Sequence, residues 1–396
     1  MRLTRVLILM LCGLAAVFCA GTPASAQVPD LVLIDGVIHG APLMDSDWSF
    51  EGDYVAVGGS SGAGGSEFRI LSFDGTALTL VDSVDHGLSP IYSVSWNPSG
   101  SFLAVGGGPG AGGNEVSVYA FNGTSLTLLD TFDTGVSIVR SVSWSPSGSY
   151  LALGGDPGGF AGQLSILAFN GFALTMVASL NLGGAVVDSL AWSPGGAYVA
   201  SGGSGMPDGN EIHVYAFDGI VLTLIDGFDH GLTRVSSVSW DPTGSYLATG
   251  GELGSDGNEV RTLDFDGTSL SQTSVFSHGG QVYSVSWAPS GSFVAMGGVP
   301  AAGSDIRILR FAGGTLQEIV NEARGAAAVS VAWSPDQQFL STTGPAGVPA
   351  GTELEVFEVS GLVGVAVPGL GSGGAVLFAA FLVAVAFGLI RQRLCV

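Results

Sequence analysis

The sequence contains no lysine, and its 11 basic residues are all arginines, against 33 acidic residues. The resulting formal charge of −22 argues against a nucleic-acid partner, because binding phosphates needs a basic surface. Charged residues make up only 11% of the chain and hydrophobic residues 46%, which excludes a chain disordered through high charge and low hydrophobicity. The composition therefore predicts an acidic globular protein that does not bind nucleic acid.

Cysteine is also scarce. The three cysteines are Cys12, Cys19 and Cys395, and the first two lie in an apolar N-terminal segment. The long middle of the chain has none, so we expect neither disulfides nor thiolate-bound zinc there.

The N-terminal residues 1–26 have the pattern of a secretory signal peptide. Arg2 and Arg5 form a basic region, an apolar run follows, and Ala24 and Ala26 supply the small residues of a cleavage site. We therefore expect the mature chain to be exported and to begin at Gln27.

The C-terminal end predicts a membrane anchor. Residues 374–390 carry no charge, and Arg391 and Arg393 follow them. Seventeen apolar residues are at the lower limit for a helix that spans a bilayer, and the arginines favour a cytoplasmic C-terminus. A buried core helix is the alternative, but it should be amphipathic, and this segment is apolar throughout. The expected divisions are a signal peptide at 1–26, a globular domain at 27–360, a Gly/Pro-rich stalk at 361–373 and a transmembrane or sorting tail at 374–396.

The tail also resembles a bacterial sorting signal. Val367-Pro368-Gly369-Leu370-Gly371, the apolar run and the terminal arginines have the order of PEP-CTERM-type signals, although the Pro-Glu-Pro of that family is absent. The resemblance covers about 30 residues and implies an envelope or surface location.

The middle of the chain is a unit repeated seven times. Each unit carries one tryptophan, and successive tryptophans are 48, 48, 48, 48, 47 and 46 residues apart. Such a period is the signature of propeller blades. The seven are Trp48, Trp96, Trp144, Trp192, Trp240, Trp287 and Trp333.

The sequence pattern of each repeat predicts four short strands. In the second, strands are expected at 91–96, 101–105, 115–121 and 124–131, separated by a tight Asn-Pro-Ser-Gly turn, a glycine-rich loop and an Asn-Gly hairpin. Residues 31–40 copy the outer strand at 78–87, whereas the seventh repeat lacks an outer strand of its own. We therefore predict an all-β fold, a seven-bladed β-propeller closed by an N-terminal outer strand, flanked by the signal peptide and the transmembrane helix.

Segments such as residues 190–203, Leu-Ala-Trp-Ser-Pro-Gly-Gly-Ala-Tyr-Val-Ala-Ser-Gly-Gly, resemble the first two strands of a repeat in the WD-repeat propeller family. The resemblance extends over about residues 30–360. The chain departs from that family in two ways. The family's Gly-His dipeptide appears here in the reverse order, for instance as His86-Gly87. The family's Trp-Asp dipeptide is replaced by Phe-Asp or Phe-Asn. The resemblance implies the fold, but not the family's His-Asp hydrogen-bond network.

One set of repeated acidic residues is a candidate binding face. The residue at the start of each third strand is acidic in six repeats and Gln163 in the remaining one. Two readings stay open: solvated strand starts copied by duplication, or an acidic ring that binds cationic partners or divalent ions. Long loops at 58–66, 106–114, 154–162, 202–210 and 250–258 should lie on the same side. The predicted face comprises Glu67, Glu115, Glu211, Glu259, Asp305 and Glu353, with His86, His230 and His278.

Two classes of function follow. The first is a non-catalytic, exported binding or scaffold propeller that presents the acidic face to a protein, peptide or glycan. The alternative is an extracytoplasmic hydrolase or lyase with its site at the central channel, which would require unlike residues that break the repeat near the axis. The inner strands look nearly identical, rich in Ser, Ala and Val. We therefore expect no catalytic residues, cofactor or metal site, and membrane contact only through the C-terminal helix.

Overall fold

The computed structural model describes residues 29–361, except for 63, 88, 111, 136–137, 158–161, 232–233 and 348–350. These residues form seven four-stranded antiparallel sheets, and no helix occurs among them. The all-β, seven-bladed propeller predicted from the repeat is therefore confirmed. The predicted signal peptide, most of the stalk and the C-terminal helix lie outside the described residues, and within the described part no helix is long and apolar enough to span a membrane.

Each blade contains four strands in chain order, the first next to the central channel and the last at the rim, except in blade 7. Strand β1 (Asp30–Val37) precedes the first blade. Blades 1 to 3 are β2 (Leu43–Trp48), β3 (Tyr54–Gly59), β4 (Phe68–Phe73), β5 (Leu78–Val84); β6 (Ile91–Trp96), β7 (Phe102–Gly107), β8 (Val116–Phe121), β9 (Leu126–Phe132); and β10 (Val139–Trp144), β11 (Tyr150–Gly155), β12 (Leu164–Phe169), β13 (Leu174–Leu180).

The remaining blades repeat the pattern. Blades 4 to 6 are β14 (Val186–Trp192), β15 (Tyr198–Ser204), β16 (Ile212–Phe217), β17 (Leu222–Phe228); β18 (Val235–Trp240), β19 (Tyr246–Gly251), β20 (Val260–Phe265), β21 (Leu270–Phe276); and β22 (Val282–Trp287), β23 (Phe293–Ala301), β24 (Ser304–Ala312), β25 (Thr315–Glu322). Blade 7 contains β26 (Ser330–Trp333), β27 (Phe339–Thr343) and β28 (Leu354–Ser360).

The N-terminal strand completes blade 7, as predicted. Strand β1 pairs antiparallel with β28, from Asp30 opposite Ser360 to Val37 opposite Leu354, and the sheet order is β1-β28-β27-β26. The ring is thus closed inside a blade, by ordinary strand pairing, and an open edge on β28 is avoided.

Aromatic side chains hold neighbouring blades together. In blades 1 to 6 the tryptophan at the end of the inner strand packs near a phenylalanine of the third strand, as in the edge-to-face pair of Trp96 and Phe121, 5.4 Å apart. Tyr54 of the preceding blade packs on the same Phe121 at 4.9 Å, and Phe339 packs on Phe73 at 4.8 Å where blade 7 meets blade 1. Edge-to-face contacts stabilise such pairs beyond the area they bury.

The inner strands form a second set of links around the channel. The residue three positions before the tryptophan of each inner strand is here called the third position. In blades 1 to 6 it accepts a hydrogen bond from the backbone N–H of the next residue position in the following blade, as Ser93 does from Val142 at 3.1 Å. At the closing junction Ser330 donates its hydroxyl to Asp45 instead, at 2.9 Å. The third-position residues are Asp45, Ser93, Ser141, Ser189, Ser237, Ser284 and Ser330.

Candidate functional site

The predicted acidic ring lies at the junctions between blades. Each of its side chains accepts a hydrogen bond from the backbone N–H of the second residue after the same blade's outer strand. This donor lies 19 positions further on in every blade but blade 7, whose outer strand comes from the N-terminus. Glu67 accepts from His86 at 2.7 Å, and Gln163 accepts in the same way from Leu182 at 2.5 Å. The other bonds are Glu115 from Thr134, Glu211 from His230, Glu259 from His278, Asp305 from Arg324 and Glu353 from His39.

Burial changes the interpretation of this ring. The six carboxylate residues Glu67, Glu115, Glu211, Glu259, Asp305 and Glu353 are between 0% and 6% exposed. The expectation that these side chains are solvated at the start of a strand is wrong, because each is covered by the loop that it fixes. Desolvation raises the pKa of Glu211 and of Asp305. The carboxylates therefore hold the connections between blades, and their repetition follows from that structural task.

The histidines of the predicted face are buried in the same region. His86, His230 and His278 are 8%, 1% and 3% exposed, so they do not present imidazoles to a partner. The Nε2 atom of His278 lies 2.8 Å from the carbonyl oxygen of Val299, which fixes the loop of the next blade. Burial and the charge of Arg261 lower the pKa of His230 to about 4, so this imidazole is neutral at physiological pH.

The central channel carries a set of residues that sequence analysis missed. The residue four positions before the tryptophan of each inner strand, here called the second position, differs from blade to blade, although its neighbours are mostly alike. In blades 1 to 6 this residue falls at a β-bulge, where the inner strand has one residue more than its partner. Bulges redirect side chains and are frequent beside functional sites. The seven residues are Met44, Tyr92, Arg140, Asp188, Ser236, Tyr283 and Val329, and all line one cavity.

The expectation of nearly identical inner strands is therefore wrong at this position, and it is also wrong at Asp45 and Asp47 of blade 1. Apolar and aromatic residues from blades 6, 7, 1 and 2 occupy one side of the channel mouth, and polar residues from blades 3, 4 and 5 occupy the other. An alignment of the seven repeats would have revealed these varied residues at the second position.

The polar side is an ion-pair network. Arg140 donates from Nε to Asp156 at 2.5 Å, and its Nε lies 3.7 Å from Asp188. Arg234 donates to both oxygens of Asp188, with 2.7 Å from Nε to Oδ2. The hydrogen bond with Asp188 raises the pKa of Arg234. The Asp188 side chain is only 5% exposed, while those of Arg140 and Arg234 are 27% and 37% exposed, so the guanidinium groups are the parts that a ligand can reach.

Two carboxylates from blade 1 replace serines along the channel. Desolvation raises the pKa of Asp45 to about 6 and that of Asp47 to about 7, although each accepts hydrogen bonds from backbone N–H groups. Asp47 accepts from Trp96 at 2.7 Å, where Ser239 accepts from Trp287 at 3.1 Å in the equivalent place.

The cavity enclosed by these rings has a volume of about 130 Å³. Pockets for small-molecule ligands usually measure about 300–1,000 Å³, so this space suits one inserted side chain. None of the described histidines lines it. Among the described residues, no group of three or more His, Cys, Asp or Glu side chains is arranged to hold a metal ion.

Comparison with known proteins agrees with the geometry. The sequence model of the family "WD domain, G-beta repeat" matches residues 223–266 and 270–308. That of "Eukaryotic translation initiation factor eIF2A" matches residues 47–226. No curated protein matches the chain.

Two solved structures are similar in fold. A chain in the crystal structure of a mitotic checkpoint complex is 22% identical, with a TM-score of 0.61 over 83% of this chain and 94% of that chain. The Cps50 (Swd1) β-propeller domain from Myceliophteria_thermophila is 13% identical, with a TM-score of 0.63 over 83% of this chain and all of that domain. With seven blades, an N-terminal closing strand and these matches, the chain is a WD-repeat-like seven-bladed β-propeller.

Proposed function

We propose that this propeller is a non-catalytic binding protein and that its ligand is a protein or peptide segment held at the channel mouth. The observation that carries the proposal is the strong variation of the ring that lines the channel, at the second position of the inner strands. Repeats keep residues that the fold needs, and they diverge where each blade meets a different part of a ligand. One side of the mouth offers Met44, Tyr92 and Tyr283, and the other offers the guanidinium groups of Arg140 and Arg234.

The unlike residues at the channel meet one requirement of the hydrolase or lyase alternative, but the chemistry of the described residues gives it less support. The serines of the channel are engaged in hydrogen bonds between blades, and no described histidine lies among them to act as a general base. The cavity is also smaller than typical substrate pockets. A nucleic-acid ligand, which the initiation-factor match could suggest, is disfavoured by the formal charge of −22.

The test replaces the varied residues with the serine that blade 5 already carries. Tyr92→Ser with Tyr283→Ser, and separately Arg140→Ser, should leave the melting temperature within a few degrees of the parent. We expect each to weaken capture of partners from a cell-envelope extract at least tenfold, as quantified by mass spectrometry. The control changes Ser99, Ser147 and Thr243 to alanine on the turns of the opposite side. Loss of capture in the control set, with the channel variants unaffected, would place the binding surface elsewhere.

We also propose that the propeller is exported and anchored in the cell envelope, with residues 1–26 removed and residues 361–373 forming the stalk. The support comes from the sequence of the ends alone. External protease applied to spheroplasts should destroy a propeller epitope and spare a tag placed after Val396. Protection of the propeller epitope would contradict export.

A further inference from the structure

The junction between blades 3 and 4 lacks two polar links that most of the other junctions have. At the rim, an aspartate in one outer strand usually accepts a hydrogen bond from the first backbone N–H of the next outer strand, as Asp82 does from Leu126 at 2.7 Å and Asp130 from Leu174 at 2.7 Å. Ala178 occupies this position in blade 3 and has no acceptor to offer Leu222. The rim is therefore held here by apolar packing.

The loop after the outer strand of blade 3 has also lost a polar link to the next blade. Four of the equivalent loop positions carry histidine, and His39 bonds the carbonyl oxygen of Ser60 in the next blade at 2.8 Å. Leu182 replaces that histidine, and Pro207 of the next blade packs close to Gly183, beside it. Two independent polar links between blades are thus both replaced by apolar residues at one junction.

These replacements leave an open apolar groove of about 310 Å³. Leu182, Met206, Leu222 and Leu224 form its walls, together with the edge of Tyr215. Leu224 is 50% exposed, and the exposed residues Ile220 (71%) and Val221 (52%) precede the same strand β17. An open apolar groove with an exposed leucine in its wall is a candidate interaction site.

The charge at one end of the groove indicates what it binds. Asp208 lies there, its side chain is 43% exposed, and its Oδ2 is 2.8 Å from Nε2 of His213. Partial burial opposes ionisation, but hydrogen bonds from His213 and Asn210 outweigh it and lower the pKa of Asp208. The groove therefore combines apolar walls with a carboxylate that is ionised at neutral pH, on a protein with 33 acidic and 11 basic residues.

We propose that this groove is a second binding site, separate from the channel mouth, for an extended segment of a partner protein. The segment carries two apolar side chains two residues apart and a lysine or arginine that pairs with Asp208. Side chains at i and i+2 of an extended chain lie on one side about 6–7 Å apart, which matches the run along β17 from Leu222 to Leu224. Charge complementarity selects a basic segment over an acidic one.

The test selects phage-displayed random dodecapeptides on the full-length chain and measures the enriched peptides by fluorescence anisotropy. We expect enrichment of sequences with two apolar residues at i and i+2 and a basic residue nearby. Leu224→Ser should weaken their binding at least tenfold, and Asp208→Asn should weaken the basic peptides. The matched control is Leu128→Ser, since Leu128 occupies the same position in blade 2 and is 52% exposed.

A second variant distinguishes a loss of binding from a loss of folding. Ala178→Asp with Leu182→His restores the residues that other blades carry, so it should keep the fold and abolish peptide binding. Equal binding by the Leu224→Ser and Leu128→Ser chains would overturn the proposal. So would a dimer in light scattering that Leu224→Ser dissociates, because a second copy would then be the occupant. Binding that appears only after deletion of residues 362–396 would likewise overturn it, because the chain's own tail would then fill the groove.

Discussion

Glu353 accepts a hydrogen bond from the backbone N–H of His39 at 2.7 Å, although the two residues are 314 positions apart in the chain. The bond repeats the link between Glu67 and His86, which are only 19 positions apart. A contact that is local in six blades thus becomes, in the seventh, a contact between the two ends of the domain.

Removing this carboxylate should weaken the closure. Glu353→Ala leaves the buried N–H of His39 without its acceptor, and we expect the free energy of unfolding to fall by about 1–3 kcal/mol. Glu353→Gln should cost less than about 1 kcal/mol, because Gln163 performs the same task in blade 3. Urea unfolding measures both. Similar losses for the alanine and glutamine variants would show that the charge, and not the acceptor, is needed.

Deletion of the closing strand should be far more damaging. A chain without residues 30–37 loses the pairing between β1 and β28, together with the buried side chain of Leu31, which is 6% exposed. We expect a fall in melting temperature of more than about 10 °C, since several kcal/mol of pairing and burial are lost. Deleting eight residues from 365–372 is the length-matched control. Unchanged melting of the chain without β1 would contradict the observed sheet order.

The stability of the propeller should depend on the ionisation of Asp47. Its pKa in the fold is about 7, whereas an unfolded aspartate titrates near 4, so the folded state holds its proton more tightly. The fold therefore loses stability as the pH rises from about 4 to 7, and the loss is complete above that range. Asp47→Ser should increase the free energy of unfolding at pH 8 by about 1–3 kcal/mol, and by less at pH 5.

The reverse exchange is the control for this prediction. Ser239→Asp places a carboxylate where Ser239 accepts a hydrogen bond from Trp287, and it should lower stability at pH 8 more than at pH 5. Urea unfolding at both pH values measures the difference. If Asp47→Ser changes stability equally at pH 5 and pH 8, desolvation of this carboxylate does not control the pH dependence.

The ion-pair network at the channel mouth should contribute to stability as well as to binding. Asp188→Asn removes the ionised partner of Arg234 while preserving shape, and we expect a loss of about 1–3 kcal/mol. The effect should vary little between 0.05 and 0.5 M salt, because the Asp188 side chain is 5% exposed. A loss that disappears at the higher salt concentration would instead indicate a solvent-screened pair.

Much of the fold could be predicted because the repeat sets both periodicity and register. The tryptophan spacing predicted the seven blades, and the similarity of residues 31–40 to residues 78–87 predicted the closing strand. The predicted second-blade strand at 91–96 coincides with β6, and the ends of the other three strands lie within two residues of the prediction.

The site could not be predicted in the same way. A glutamate at the start of a strand has the same sequence pattern whether it is solvated or buried under a loop, and the bond from Glu67 to His86 distinguishes the two only in three dimensions. The signal available in the sequence was the constant interval of 19 residues between the acidic residue and its hydrogen-bond donor in blades 1 to 6. At the channel, the repeated serines on neighbouring positions concealed the variation at Tyr92, Arg140 and Asp188. That these varied residues all line the channel depends on the β-bulge, which the sequence does not reveal.

The closing strand also sets the order in which the polypeptide can fold during synthesis. Blades 1 to 6 are each complete once their own residues have emerged, but β1 has no partner until β28 has been made, more than 300 residues later. Throughout that time β1 is an unpaired strand, and its Val32 and Leu33 remain 45% and 47% exposed even in the finished ring. Unpaired apolar strands promote aggregation, so the nascent chain is most vulnerable at its oldest end. A chaperone that shields the first 40 residues should therefore raise the yield of native protein more than one that binds any later blade.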